Sequence, residues 1–381
     1  MARVPLGDFK YQFMPELVNL PSSESGNDEN GHGVCKHTDG SIFFTFVRFC
    51  SAQLSFAPPH DVRRAQVPKK VDNSTQVLMR CDPSGANCKM LGKPGPEGLS
   101  AGTPHGLRIE HDEKKGESYL YHSNNNAKIM KTDLEGNIIW TADLSGWAKD
   151  PVMKKFTPQG IRPCDAIVVP GTDILLMSDG YGSSFVHQFN KYTGKYIEGK
   201  SFGGLGNTTS DPIKLHTPHG IALDPRYPGT VVISDRSNSR LVWTKFDGTY
   251  VRHLPTGATG GMSLPCNVDV MDDKKAGKIA VVPSLGMPGK MNNGSVAIYG
   301  PKDELLSTIY VAEKIGHLGN QHPHDAMFLP NGDIVCCCWG GPANTDPVQG
   351  PAKGTISYWK RVGGEGGYGG LGLSGISANE Y

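Results

Sequence analysis

PHGIALDPRYPGTVVISDRSNSRLVWTKFDGTYVRHL, residues 218–254, reads as four short strands in succession. The runs PHGIALD, TVVISD, RLVWTKF and TYVRHL are apolar or alternating, and the turns between them are made of Gly, Pro, Asn, Asp and Ser. The pattern recurs on both sides. PHGLRIE, ESYLYHS, KIMKTDL and NIIWTADL fall within 104–144, and PCDAIVV, ILLMSD, FVHQF and KYIEGKS within 163–201. PHDAMFL, IVCCCW and TISYWKRV follow within 323–362. Each unit starts on a His or a Cys: His32 in GHGVCK, His105, Cys164, His219, Cys266 in PCNVDVM, and His324. A repeat of about 40 to 50 residues holding several short strands marks a β-propeller blade. The expectation is an all-β, six-bladed propeller.

The sixth unit lacks a fourth strand. A ring left open there would expose a pairing edge, so DFKYQFM at residues 8–14 is the natural donor of the closing strand. Residues 1–30 are then an N-terminal segment, 31–362 the propeller, and 363–381 a Gly-rich tail. The first unit carries a Pro-rich, basic insertion over 51–74, placed at the channel mouth.

Lys plus Arg (38) balances Asp plus Glu (37), so no overall field draws the chain to nucleic acid or an anionic membrane. No apolar run approaches a membrane span, and MARVPLGDFKYQF lacks the apolar stretch of a secretory signal. A cytoplasmic protein is expected, or a secreted one if this N-terminus is not the native one. The nine cysteines form no C-x-x-C pair. Cys81 and Cys88 flank DPSGAN and would pair in an oxidising compartment, whereas Cys336, Cys337 and Cys338 belong to a buried strand. Sequons at Asn73, Asn207 and Asn293 weigh little in loops this rich in asparagine.

The innermost strand of each blade begins at the central channel, so His105, His219 and His324 converge on the axis from alternate blades. Neutral imidazole is the commonest zinc ligand, and three protein ligands with an open position define a catalytic site. A Pro-His pair alone is as well explained by a strand-start histidine; three at equivalent positions favour a metal. His32 is a further channel residue that would ligate, shuttle a proton or hydrogen-bond locally. SDGYGSS (178–184) and SDRSNSR (234–240) occupy the same turn of neighbouring blades, which hangs Tyr181 and Arg236 over the metal. A phenol beside a cation serves as general base, and a guanidinium clamps a carboxylate. Arg48, at the same turn of blade one in FVRFCS, is a second clamp on weaker grounds.

PHGL (104–107), SDGY (178–181), TPHGIAL (217–223), SDRSNSR (234–240) and PHDA (323–326) together resemble the peptidyl-α-hydroxyglycine α-amidating lyase family, a branch of the NHL-type six-bladed propellers. The motifs are short; their joint order over most of 32–340 makes the resemblance specific. It implies zinc on His105, His219 and His324, Tyr181 as the base, and Arg236 and Arg48 near the substrate. It also implies a structural calcium held by the Asp325 carboxylate and the carbonyls of Val34 and Leu107. Gly182 stands where secreted members have a half-cystine, which fits a reducing compartment. The expected activity is zinc-dependent cleavage of the C–N bond of an α-hydroxyglycine-type carbinolamide, small molecule or peptide terminus, to an amide and glyoxylate. A propeller hydrolase or lactonase with metal-activated water, and a non-catalytic interaction scaffold, are the alternatives.

Overall fold

The computed structural model describes residues 9–18, 28–49, 76–95, 97–99, 104–157, 160–207, 211–256, 264–285, 294–311, 314, 322–339, 345–346, 350–351 and 355–363. The insertion at 51–74 and the tail beyond 363 lie outside them. Among the described residues, six four-stranded antiparallel sheets make up the fold, with one further pair of two-residue strands, Thr345–Asp346 and Gly350–Pro351. Their first strands, in chain order, are Asp28–Lys36, Pro104–Asp112, Asp165–Val168, Pro218–Leu223, Asp269–Asp273 and Pro323–Phe328, and these define blades one to six. Blade four matches its sequence pattern strand for strand: Pro218–Leu223, Thr230–Asp235, Arg240–Lys245 and Tyr250–Pro255.

The apolar residues on both faces of each sheet explain why the sheets stack. Among the described residues there are six buried clusters, one for each neighbouring pair of blades. Tyr121 and Ile129 of blade two meet Ala166 and Met177 of blade three. Val232 and Trp243 of blade four meet Ala280 and Ala297 of blade five. The ring closes where Phe44 and Met79 of blade one pack on Val335 and Tyr358 of blade six. Such paired faces, burying apolar area worth roughly 25 cal/mol per Å², hold neighbouring blades together.

Blade six obtains its outer strand as expected. Tyr11–Phe13 pairs antiparallel with Thr355–Arg361, with Tyr11 opposite Arg361 and Phe13 opposite Trp359. Phe9, just before that strand, is fully buried in the blade five–blade six cluster. Cys336, Cys337 and Cys338 lie in the buried strand Ile334–Cys338.

Three sequence expectations need correction. His32 does not open its strand: blade one's first two strands, Asp28–Lys36 and Ile42–Phe49, run on past the channel start and leave His32 in mid-strand. For the same reason Arg48 lies in a strand opposite Glu29, not in a turn. In blade three KYIEGKS contributes only a bridge from Tyr196 to Phe189, and the fourth strand is Phe202–Gly203. Gly199, at φ 71°, breaks the run beforehand. Cys81 and Cys88 face each other across a strand pair and form a disulfide. That bond suits an oxidising environment, opposite to the compartment inferred from Gly182. Among the described residues no helix is long and apolar enough to cross a membrane.

Candidate metal centre

The four channel histidines, His32, His105, His219 and His324, sit at irregularities in the ladder of their inner strand. The register slips between Gly31 and Gly33, Pro104 and Leu107, Pro218 and Ile221, and Pro323 and Asp325. A bulge adds a residue to one strand and re-aims its side chain, a device common beside active sites. The preceding Pro in blades two, four and six has no N–H, so the ladder loses nothing there.

The re-aimed rings meet on the axis. Ring centroids of His105, His219 and His324 lie 4.5–4.7 Å apart, a near-equilateral triangle. His32 adds a fourth ring, 5.2 Å from His105 and 4.7 Å from His324. Each triangle member is oriented by the next first strand in the ring. His105 Nδ1 donates to the Cys164 carbonyl (2.7 Å), His219 Nδ1 to the Cys266 carbonyl (2.9 Å), and His324 Nδ1 to the His32 carbonyl (3.0 Å). A carbonyl can only accept, so Nδ1 carries the proton and Nε2 presents a lone pair. The residues at 164 and 266 thus act through their backbones, which explains why a Cys serves where its neighbours have His.

Burial keeps the imidazoles neutral. It drives His105 down to about 3, with the Arg236 charge adding to the effect, and holds His219 and His324 well below the usual histidine range. His105 Nε2 is buried with no hydrogen-bond partner. A buried nitrogen acceptor left unsatisfied costs about 1–3 kcal/mol unless something fills the need. A divalent transition metal would do so, and the residues fit one.

Among the described residues the sets of ligand atoms lying within 4.8 Å of one another are His32–His105–His324 and His105–Cys164–His219; the expected trio of His105, His219 and His324 is not itself such a set. His105 is common to both, His32 stands level with the expected ligands, and Cys164 is closer than its place off the three-fold set implies. Burial raises both thiols, Cys266 to about 11, so neither is a thiolate without a cation beside it.

Tyr181 and Arg236 are where the repeat places them. The Tyr181 hydroxyl is 3.1 Å from His219 Nε2, and Arg236 Nη1 donates to that hydroxyl at 3.0 Å. The guanidinium also covers the phenol ring, 5.0 Å from its centroid. Their turns are fixed by the Asp that precedes them. Asp179 accepts from the Arg162 and Ser183 amides and the Ser183 hydroxyl. Asp235 accepts from the His216 amide, Asn238 and Arg240. Gly180 is required by close approach, since a Cβ there would lie 2.5 Å from the Pro218 carbonyl and 2.8 Å from Cys164 Sγ. The SD sequences are turn formers, then, and what they carry is the site. Burial pushes Tyr181 up to about 12, with Arg236 opposing. The Arg48 side chain lies outside the described residues.

The calcium expectation fares differently. Asp325 accepts from the Val34 amide (3.0 Å), the Asn267 side-chain amide (2.7 Å) and the Ala326 amide (2.9 Å). It is Val34's N–H that meets the carboxylate, and Arg108, a residue not anticipated from the sequence, brings a positive charge alongside. Calcium takes six to eight oxygens. A carboxylate already engaged by three donors and facing a guanidinium does not fit it, so Val34, Leu107 and Asp325 are not a calcium site in this arrangement.

No family model matches the chain. Among solved structures it is similar to a chain of the "Crystal Structure of Mitotic Checkpoint Complex", at 10% identity and a TM-score of 0.49, with 96% of each chain covered. At that level the likeness carries no argument. The sheets themselves make the molecule a six-bladed β-propeller, and the channel gives it an axial histidine cluster.

Proposed function

We propose that this channel is the active site of a metal-dependent carbon–nitrogen lyase, acting on an α-hydroxyglycine-type carbinolamide and releasing an amide and glyoxylate. The observation that carries the reading is the chain from Arg236 to the Tyr181 hydroxyl to His219 Nε2, set against the histidine triangle. A zinc ion on His105, His219 and His324, with His32 beside them, would supply Lewis acidity that acidifies both the substrate hydroxyl and the nearby phenol. Tyr181, as the phenolate, then takes the hydroxyl proton. The electron pair of that O–H bond becomes the second C=O bond, the pair of the breaking C–N bond goes to nitrogen, and the Tyr181 phenol hands the proton on to that nitrogen. Arg236 holds the phenol with one N–H and keeps others for the substrate carboxylate, so the reacting bond is oriented. Arg236 and Tyr181 are both half-buried, and the partial exclusion of water strengthens both contacts.

The test pairs elemental analysis of purified protein with glyoxylate release from α-hydroxyhippurate. One transition-metal ion per chain with turnover is expected. A metal-loaded protein that leaves α-hydroxyhippurate intact would remove the lyase reading and leave the metal site standing.

A further inference from the structure

One residue beyond the His/Cys positions, the first strands contribute Gly33, Gly106, Asp165, Gly220, Asn267 and Asp325. The glycines in blades two and four make room for their neighbours. A Cβ on Gly106 would lie 2.7 Å from Asp165 Oδ1, and one on Gly220 2.6 Å from Asn267 Oδ1. Arg108 reaches into this polar layer from blade two. Its Nε and Nη2 donate to Asp165 Oδ2 at 3.0 and 2.6 Å, and Nη2 also donates to Asn267 Oδ1. The Arg108 side chain is 12% exposed and that of Asp165 3%.

The network continues to every blade. Asp165 Oδ2 accepts the blade four amide of Ile221 at 3.1 Å. Asn267 of blade five donates to Asp325 of blade six, and Asp325 accepts from Val34 of blade one. One guanidinium, two carboxylates and one amide thus join the first strands of all six blades. A structural metal does this in other closed folds, by drawing oxygens from separate strands onto one positive centre.

We propose that Arg108 is the resident structural cation of this channel, standing where a calcium ion would otherwise be needed, so that the axis takes metal in the histidine layer alone. The planar fork suits this position because it satisfies two partners in fixed directions, where an ammonium would act only as a point charge. The assignment is independent of the lyase reading.

The full-length protein, loaded with its transition metal, is titrated with calcium chloride by calorimetry and melted with and without millimolar calcium. The wild type is expected to show neither binding heat nor a melting shift. Arg108→Ala should lower the folding equilibrium constant on the order of 10²- to 10³-fold, since it leaves buried carboxylates unpaired. Calcium should raise the melting temperature of that variant. Arg108→Lys, which keeps the charge and loses the fork, should melt between the two and keep the assay readable if Arg108→Ala does not fold. Stoichiometric calcium in the wild type, or an Arg108→Lys protein as stable as wild type together with a stable Arg108→Ala, would overturn the assignment.

Discussion

The two layers of the channel are neighbours along the same strands and opposites in chemistry. The histidine layer is neutral: its rings point lone pairs at the axis, and His105 Nε2 is left without a partner. The layer of Asp165, Asn267 and Asp325 is charged, and Arg108 and backbone amides already meet its acceptors. One layer is shaped to receive a cation; the other carries its own covalently. A propeller axis can therefore hold a cationic clamp and a cluster of neutral ligand groups at separate depths.

Replacing a ligand is the hardest blow to the upper layer. His105→Ala should abolish both metal content and glyoxylate release while the melting temperature of the metal-free protein holds, because the apolar interfaces between blades lie elsewhere. Elemental analysis beside a thermal melt checks it; a variant that unfolds would show that the layers are not separable. Next comes Tyr181→Phe, which should keep its metal and lose about 10²- to 10⁴-fold in kcat, the usual contribution of a general base. Full activity in steady-state glyoxylate release would hand the base to His32 or to a metal-bound hydroxide, and favour the hydrolase. Asp165→Ala attacks the lower layer and should destabilise by about 3–5 kcal/mol, because it strands a buried guanidinium. Denaturant midpoints measure that, with metal content unchanged.

Acid distinguishes the layers by sign. His105 has a folded value of about 3 against an ordinary 6.5, so between those values the unfolded chain binds the extra proton, and stability is lost as pH falls from about 6.5 toward 3. Asp325 is raised by burial to about 7 from an ordinary 3.8, so there the folded state holds the extra proton, and stability is gained as pH falls from about 7 toward 3.8. In metal-free protein, Asp325→Asn should therefore steepen the loss of urea stability on acidification. A flatter profile would break the contrast. The smallest effect belongs outside the channel. Lys114→Ala removes an exposed pair with Asp173, 68% and 52% exposed, and should change stability by less than about 1 kcal/mol.

What could be read from sequence follows the same division. Strands, blade count and closing strand were legible because apolar periodicity and turn residues are local signals, and the repeat multiplied each six-fold. The convergence of His105, His219 and His324, with Tyr181 and Arg236 beside them, was legible because the histidines share one place in their blades and the other two share another. Arg108 was not. It stands in a run, PHGLRIE, that reads as a plain alternating strand, and its partners lie on blades three and five. The set of Gly, Asp and Asn that follows the His/Cys positions was the available clue. The position of His32 was misjudged because blade one's strands begin earlier than the other blades', a matter of pairing partners that single strands do not encode.

The closing strand has a consequence in time. Tyr11–Phe13 finds its partner only at Thr355–Arg361, near the far end of the chain. A ribosome adding about 5 to 20 residues per second would have made the donor strand tens of seconds before the acceptor emerges. Until then the inner blades can stack in order of appearance, but the ring stays open and Phe9 has no place to go. Closure of the ring thus waits on the last blade, and a nascent chain stalled before residue 355 should engage chaperones however complete its first five blades are.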